Sequence, residues 1–259
     1  MTRQPVLFIS HGAPTFALEP GRAGALLRAA GERLPAPTAI VVVSPHWVTR
    51  DFAVTAAVRP ETIHDFGGFP APLYALRYPA PGAPALAARV AGLLQAAGVP
   101  ARLDEQRGLD HGAWVPLMHL YPQAQVPVIQ VSMPQSLDAR AAWRLGEVLA
   151  PLREEGVLIV GSGSLTHNLY EFFATGGSDD VVPYAREFVD WARAAVQRHD
   201  RAALVDYLRA APNAGRAHPT PEHYLPLLVA AGAAGDAMVE VLDGGMEHGM
   251  LSMESYLFG

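Results

Sequence analysis

Residues 126–163 read VPVIQVSMPQSLDARAAWRLGEVLAPLREEGVLIVGSG, and the alternation within them decides the fold. A short Val/Ile-rich run is followed by the helix-length segment DARAAWRLGEVLAPLREEG and then by a second apolar run, Val157 to Val160. Short continuous apolar runs of this kind are what strands buried on both faces of a parallel sheet look like, and the segment between them supplies the crossover helix. The same rhythm opens the chain. Val6 to Ile9 is a strand, Gly21 to Leu34 carries Ala23, Leu26, Leu27 and Ala30 at helical spacing, and Pro35 and Pro37 stop that helix before the run Ile40 to Val43. Phe52 to Val58 and Ala101 to Asp104 read as further strands, with an amphipathic helix from Pro84 to Ala97 closed by Gly98. Pro183 to Ala210 reads as one long helix with Phe188, Trp191, Val196, Leu204 and Leu208 on its inner face. Met238 to Leu242 and Leu251 to Phe258 lack a helix between them and are expected to close the sheet as antiparallel strands. The expected architecture is α/β: a single domain spanning residues 1–259, with a central, mainly parallel and partly mixed sheet covered by helices on both faces.

Composition agrees. The 259 residues are 50% hydrophobic and 17% charged, with a net charge of −6 and a pI of about 5.9, which describes a globular chain with a large core and no nucleic-acid-coating surface. There is no cysteine, so disulfides, thiolate metal sites and a Cys nucleophile are excluded. No uncharged apolar stretch of about 18 residues or more is present, and the N-terminus lacks a signal-peptide core; a cytoplasmic location without membrane partners is expected.

Histidines carry the chemistry. His11 in FISHGAP, His46 in VVVSPHW and His167 in GSGSLTHN each follow an apolar run by two to seven residues. Open α/β sheets bind ligands beyond the carboxyl ends of their strands, so three imidazoles delivered there are placed to converge on a metal. Thr220-Pro221-Glu222-His223 reads as an N-cap and the first turn of a helix, where the helix field keeps His223 neutral and able to ligate. A histidine is more often a hydrogen-bonded core or surface residue than a ligand, and His119, His199, His218 and His248 are read as structural or exposed. LDHGAW puts His111 between an acid and a glycine at the mouth of a short helix, and IHDFGGFP from Ile63 to Pro70 forms a glycine-rich loop edged with aromatics. Either can border a substrate pocket. Gly161-Ser162-Gly163-Ser164 fails as a dinucleotide fingerprint because Thr166 stands where a third glycine belongs. No Gly-x-Ser-x-Gly elbow and no His-Glu-x-x-His pair occurs, which weakens the esterase and common metalloprotease readings and leaves a hydrolytic metal site of another kind open.

Six separated motifs, HGAP at His11, SPHW at His46, TIHDFGGFP around His64, LDHGAW at His111, SLTHN at His167 and TPEHYLPLL at His223, together resemble the class III extradiol ring-cleavage dioxygenases, in the branch that contains the 4,5-DOPA extradiol dioxygenases. The resemblance runs from the first strand to the closing LSMESY segment. It implies that one divalent metal per chain is held by His11, His46 and His223, with His167 a fourth ligand or a base, and with Glu222 the rival of His223. It implies Fe(II) for activity and Zn(II) as an ion that the isolated protein can carry. His111 and His167 would be the acid–base residues, while His64, Phe69 and Trp47 would contact a DOPA-like catechol that is opened with O2. The expected protein is a monomer or small homo-oligomer. A Zn-dependent hydrolase or a non-catalytic metal-binding protein of the same fold is the alternative.

Overall fold

The computed structural model describes residues 2–175 and 180–259. Ten strands are present among them: β1 (Val6–Ser10), β2 (Ala39–Thr49), β3 (Ala53–Thr55), β4 (Arg102–Asp104), β5 (Val128–Pro134), β6 (Val157–Gly163), β7 (Val239–Leu242), β8 (Met246–Glu247), β9 (Leu251–Ser252) and β10 (Ser255–Phe258). Eight of them form one sheet in the order β4-β3-β5-β2-β6-β1-β10-β7, and β8 pairs with β9 in a separate hairpin. The four central strands β5, β2, β6 and β1 are parallel. On one side β10 and β7 add antiparallel pairings; on the other, β3 runs antiparallel to β5 and parallel to β4. The mixed sheet expected from the sequence is therefore present, with its antiparallel strands at the flanks.

The helices are α1 (Gly21–Arg33), α2 (Ala71–Ala75), α3 (Pro84–Ala96), α4 (His111–Leu120), α5 (Ala139–Leu149), α6 (Leu169–Thr175), α7 (Pro183–Gln197), α8 (Arg201–Val205), α9 (Tyr207–Ala210), α10 (Ala214–Ala217) and α11 (Leu225–Ala234). Alternate residues of the central strands feed two cores, as the twofold period of a strand requires. Phe8, Val41, Val43, Ile129 and Ile159 pack against residues of α3, α5, α7 and α11, whereas Ile9, Ile40, Val42, Leu158 and Val160 pack against residues of α1 and α4. All ten residues of α11 are buried, which explains its uniformly apolar sequence LPLLVAAGAA.

Four expectations change, the first at Leu251 to Phe258, which divides into β9, in the hairpin, and β10, in the main sheet. Pro183–Ala210 is not one helix: His199 adopts a left-handed backbone (φ 53) and the Asp200 carboxylate accepts from the Ala203 N–H at 3.0 Å, starting α8. Leu208, assigned to the inner face, is 61% exposed in consequence. Phe52 to Val58 shrinks to Ala53–Thr55. The helix after Thr220 begins only at Leu225, so Thr220 is not its N-cap; Thr220 Oγ1 instead donates to Glu222 Oε1 at 2.8 Å, and His223 sits in the turn before α11.

Candidate active site

His11 directly follows β1, and its backbone N–H donates to the Gly163 carbonyl at 2.9 Å, carrying the β1–β6 ladder one step further. Its Nδ1 lies 2.9 Å from Ser162 Oγ. Ser162 spends its own hydrogen on the Gly112 carbonyl, so it accepts from His11 Nδ1–H, and the lone pair of the neutral ring falls on Nε2.

His46 is reached differently from the strand-end expectation. β2 pairs with β6 only as far as Val43↔Gly161, but continues along β5 to Thr49 through a register shift between Val43 and Val48. Pro45 has no N–H for a ladder bond, and bulges of this kind re-aim side chains beside functional sites. His46 is thus inside β2, on the stretch that β6 no longer covers, and its Nε2 stands 3.1 Å from His11 Nε2.

His223 arrives from the other end of the chain. Its carbonyl accepts from Ser164 N–H at 2.9 Å, and a Cβ on Gly163 would lie 2.3 Å from that same oxygen. The GSGS stretch that fails as a nucleotide motif is therefore explained by contact: Gly163 admits the His223 turn and Ser162 orients His11. Glu222 Oε1, which can only accept when ionised, is 3.2 Å from His223 Nδ1 and so leaves Nε2 of that ring free. The ring centroids of His11, His46 and His223 are 5.1, 5.6 and 5.2 Å apart, and one ligand atom from each lies within 4.8 Å of the others. Nitrogens bound to a common ion at ordinary metal–nitrogen bond lengths sit roughly 3.0–3.4 Å apart, so the 3.1 Å His11–His46 separation suits a shared cation. Three neutral imidazoles, two with the second nitrogen held by an oxygen, form a donor set suited to a divalent Fe or Zn ion.

The electrostatics agree. Burial, followed by mutual repulsion with neighbouring histidines, pushes His11 and His223 well below the usual imidazole value, and His46 down to about 3. The rings stay neutral in water, as ligands must.

His111 is the first residue of α4, after Asp110, as the sequence suggests. Its ring lies 3.8 Å from that of His46. Both oxygens of Asp65 grip it, one accepting from the His111 backbone N–H and the other from Nδ1, each at 2.9 Å. Burial would raise the Asp65 carboxyl, but the bonds and charge of His111 win and hold it at about 2. With Nδ1–H committed, Nε2 of His111 is left as a proton acceptor. Behind this pair, the fully buried Asp110 accepts from Ser44 Oγ at 2.9 Å and from Gln130 Nε2 at 2.8 Å, which stiffens the start of α4. His167 stacks flat on His223, with centroids 3.5 Å apart and planes 8° apart. It groups with Glu222 and His223 rather than with the His11, His46 and His223 set, and burial lowers its pKa against the opposing pull of Glu222.

These imidazoles line a cavity of about 540 Å³, walled by Phe66 and Phe69 on one segment and by Leu169, Phe172 and Phe173 on another. Phe69 therefore lies where a substrate contact was expected. Trp47 and His64 do not line it: Trp47 is buried beneath the Arg107 guanidinium, and His64 bonds to the Leu76 carbonyl at 3.1 Å. His119 bonds to the Phe16 carbonyl and His218 to the Leu165 carbonyl, both structural. His248, grouped with them in the sequence, lines the cavity instead, as does Glu19. Asp65 and Ser162 also escaped notice, since their roles depend on partners 46 and 151 residues away.

Residues 6–259 match the family model described as the catalytic LigB subunit of aromatic ring-opening dioxygenase. The chain is 43% identical to the 4,5-DOPA dioxygenase extradiol of Beta vulgaris over 97% of this chain and 95% of that protein. It is likewise 43% identical to the protein of the same name from Escherichia coli (strain K12), over 100% and 96%. The crystal structure of an uncharacterized protein from Escherichia coli K12 superimposes with a TM-score of 0.80 at 36% identity, covering 99% of this chain and all of the other.

Proposed function

The chain belongs to the family of catalytic LigB subunits of aromatic ring-opening dioxygenases, and on that premise we propose that this extradiol enzyme acts on a catechol bearing an amino-acid side chain, DOPA in the simplest case. The observation that carries the proposal is the convergence of three neutral imidazoles, two of them oriented by an oxygen, beside a fourth, His111, whose free nitrogen is aimed by Asp65.

We read His11, His46 and His223 as the ligands of one divalent metal and Glu222 as the partner that orients His223, not as a ligand itself. When bound, Fe(II) supplies the redox centre at which catechol and dioxygen meet; Zn(II) in its place would hold a catechol without oxidising it. His111 accepts a proton from a catechol hydroxyl at Nε2, and the Asp65 carboxylate stabilises the imidazolium that results. His167, stacked on His223 and influenced by Glu222, is the second proton carrier, positioned to return a proton as the ring opens. The phenylalanines of the two walls exclude water around the ring and hold it flat.

Anaerobic loading with Fe(II), followed by DOPA and air-saturated buffer, should give one O2 consumed per catechol and a yellow semialdehyde product. Absence of O2 uptake with every catechol tried, from protein with full iron occupancy, overturns the proposal in favour of a hydrolytic or non-catalytic metal site.

A further inference from the structure

The histidine floor of the cavity accounts for a catechol's two hydroxyls, but not for whatever the ring carries at its far side. The chain contains no lysine, and among the described residues no arginine lines the cavity. Apart from the metal-centre imidazoles, the ionisable groups of the lining are Glu19, just beyond the turn that follows His11, and His248, in the β8–β9 hairpin. They come to one cavity from opposite ends of the chain, and the charges of both reach Glu247: burial raises its carboxyl, His248 opposes that rise and Glu19 adds to it. Neither the Glu19 nor the His248 side chain has a hydrogen-bond or ion-pair partner among the described residues, although the His248 ring rests edge-on against Phe172 at 5.2 Å. His248 holds a left-handed backbone (φ 50), which costs a non-glycine residue energy that must be met by its surroundings.

From this placement we propose that Glu19 and His248 form a recognition pair for a zwitterionic side chain: the Glu19 carboxylate takes the α-ammonium of the substrate, and an imidazole N–H of His248 takes its α-carboxylate. One acid and one base on an otherwise apolar rim complement an α-amino acid better than they complement a simple amine or a simple acid. This inference rests on the catechol reading of the floor and adds which catechols are preferred. Both residues determine specificity and are distinct from the proton-handling His111.

The test compares four catechols: DOPA, dopamine without the carboxylate, dihydroxyphenylpropionate without the amine, and 4-methylcatechol without either. Steady-state kinetics on the iron-loaded enzyme are run beside anaerobic calorimetric binding. Exposed charged contacts are worth about twofold to fivefold each, so kcat/KM and affinity for DOPA should exceed those for 4-methylcatechol by at least about fourfold. Glu19→Gln should collapse the advantage of the two amine-bearing compounds, and His248→Ala the advantage of the two carboxylate-bearing ones, mainly through KM. Equal loss for all four compounds in either variant, or a wild type that does not favour DOPA, overturns the pair. If no compound is opened but binding still discriminates in the expected way, the pair stands and the ring-opening reading falls.

Discussion

The floor of the cavity and its rim are built on opposite principles. On the floor, His11, His223 and His111 are each at most 6% exposed, and each has its Nδ1 held by a side-chain oxygen. At the rim, Phe173 is 74% exposed, α6 is a short helix, and the Glu19 and His248 side chains have no hydrogen-bond or ion-pair partner among the described residues. The contrast separates two tasks. Chemistry needs its groups aligned before the substrate arrives, and rigid strands with orienting hydrogen bonds provide that. Discrimination among substrates is carried by side chains that can change without disturbing the fold.

If that division is correct, the largest effects come from the floor. His46→Ala removes a ligand and should lower metal affinity by at least about 100-fold, read by metal analysis after dialysis. Retention of full occupancy would dissolve the proposed triad. His111→Ala should retain the metal yet reduce kcat by about 100-fold or more, the usual worth of a positioned general base. Loss of metal in that variant would mean that His111 belongs to the coordination set.

Acid should act on the floor as well. Burial lowers the pKa of His11 and His223 well below 6.5 and that of His218 to about 4. The unfolded chain therefore binds more protons than the folded one once the pH drops below 6.5. Stability of the metal-free protein is complete above that pH and declines as pH falls toward 4, by up to about 1.4 kcal/mol per pH unit for each such ring. The urea midpoint measured at pH 7.5 and at pH 5 should differ accordingly, and a flat profile would contradict the buried, neutral state of these rings. The smallest effect belongs to the rim: Phe173→Ala should leave stability within about 0.5 kcal/mol and change KM more than kcat. A matching fall in melting temperature and kcat would show rim and floor to be one unit.

The sequence displayed the floor unevenly. Runs such as VLFIS and VLIV are buried on both faces of the sheet, so their continuous apolar character survives in one dimension and located His11 correctly. His46 was found by the same logic but lies within a strand, because a bulge at Pro45 does not interrupt an apolar pattern as a loop would. Asp65, Ser162 and the Gly163 contact were hidden since each acquires meaning only from a residue far along the chain. Glu19 and His248 were hidden more completely: nothing in their neighbourhoods is periodic, and their shared cavity exists only in three dimensions. The break at His199 was foreshadowed by Asp200, a good N-cap that a long amphipathic stripe obscured.

β1 lies between β6 and β10, which follow it in the chain at residues 157–163 and 255–258. A ribosome therefore releases the first strand long before either neighbour exists. Until residues 255–258 have emerged, the VLFIS segment keeps an unpaired edge on the side away from β6, a state that invites association with other chains. The imidazole cluster shares this schedule, since His11 waits for the turn that brings His223. Removal of residues 255–258 should leave that edge open permanently and lower solubility, read as the soluble fraction after expression.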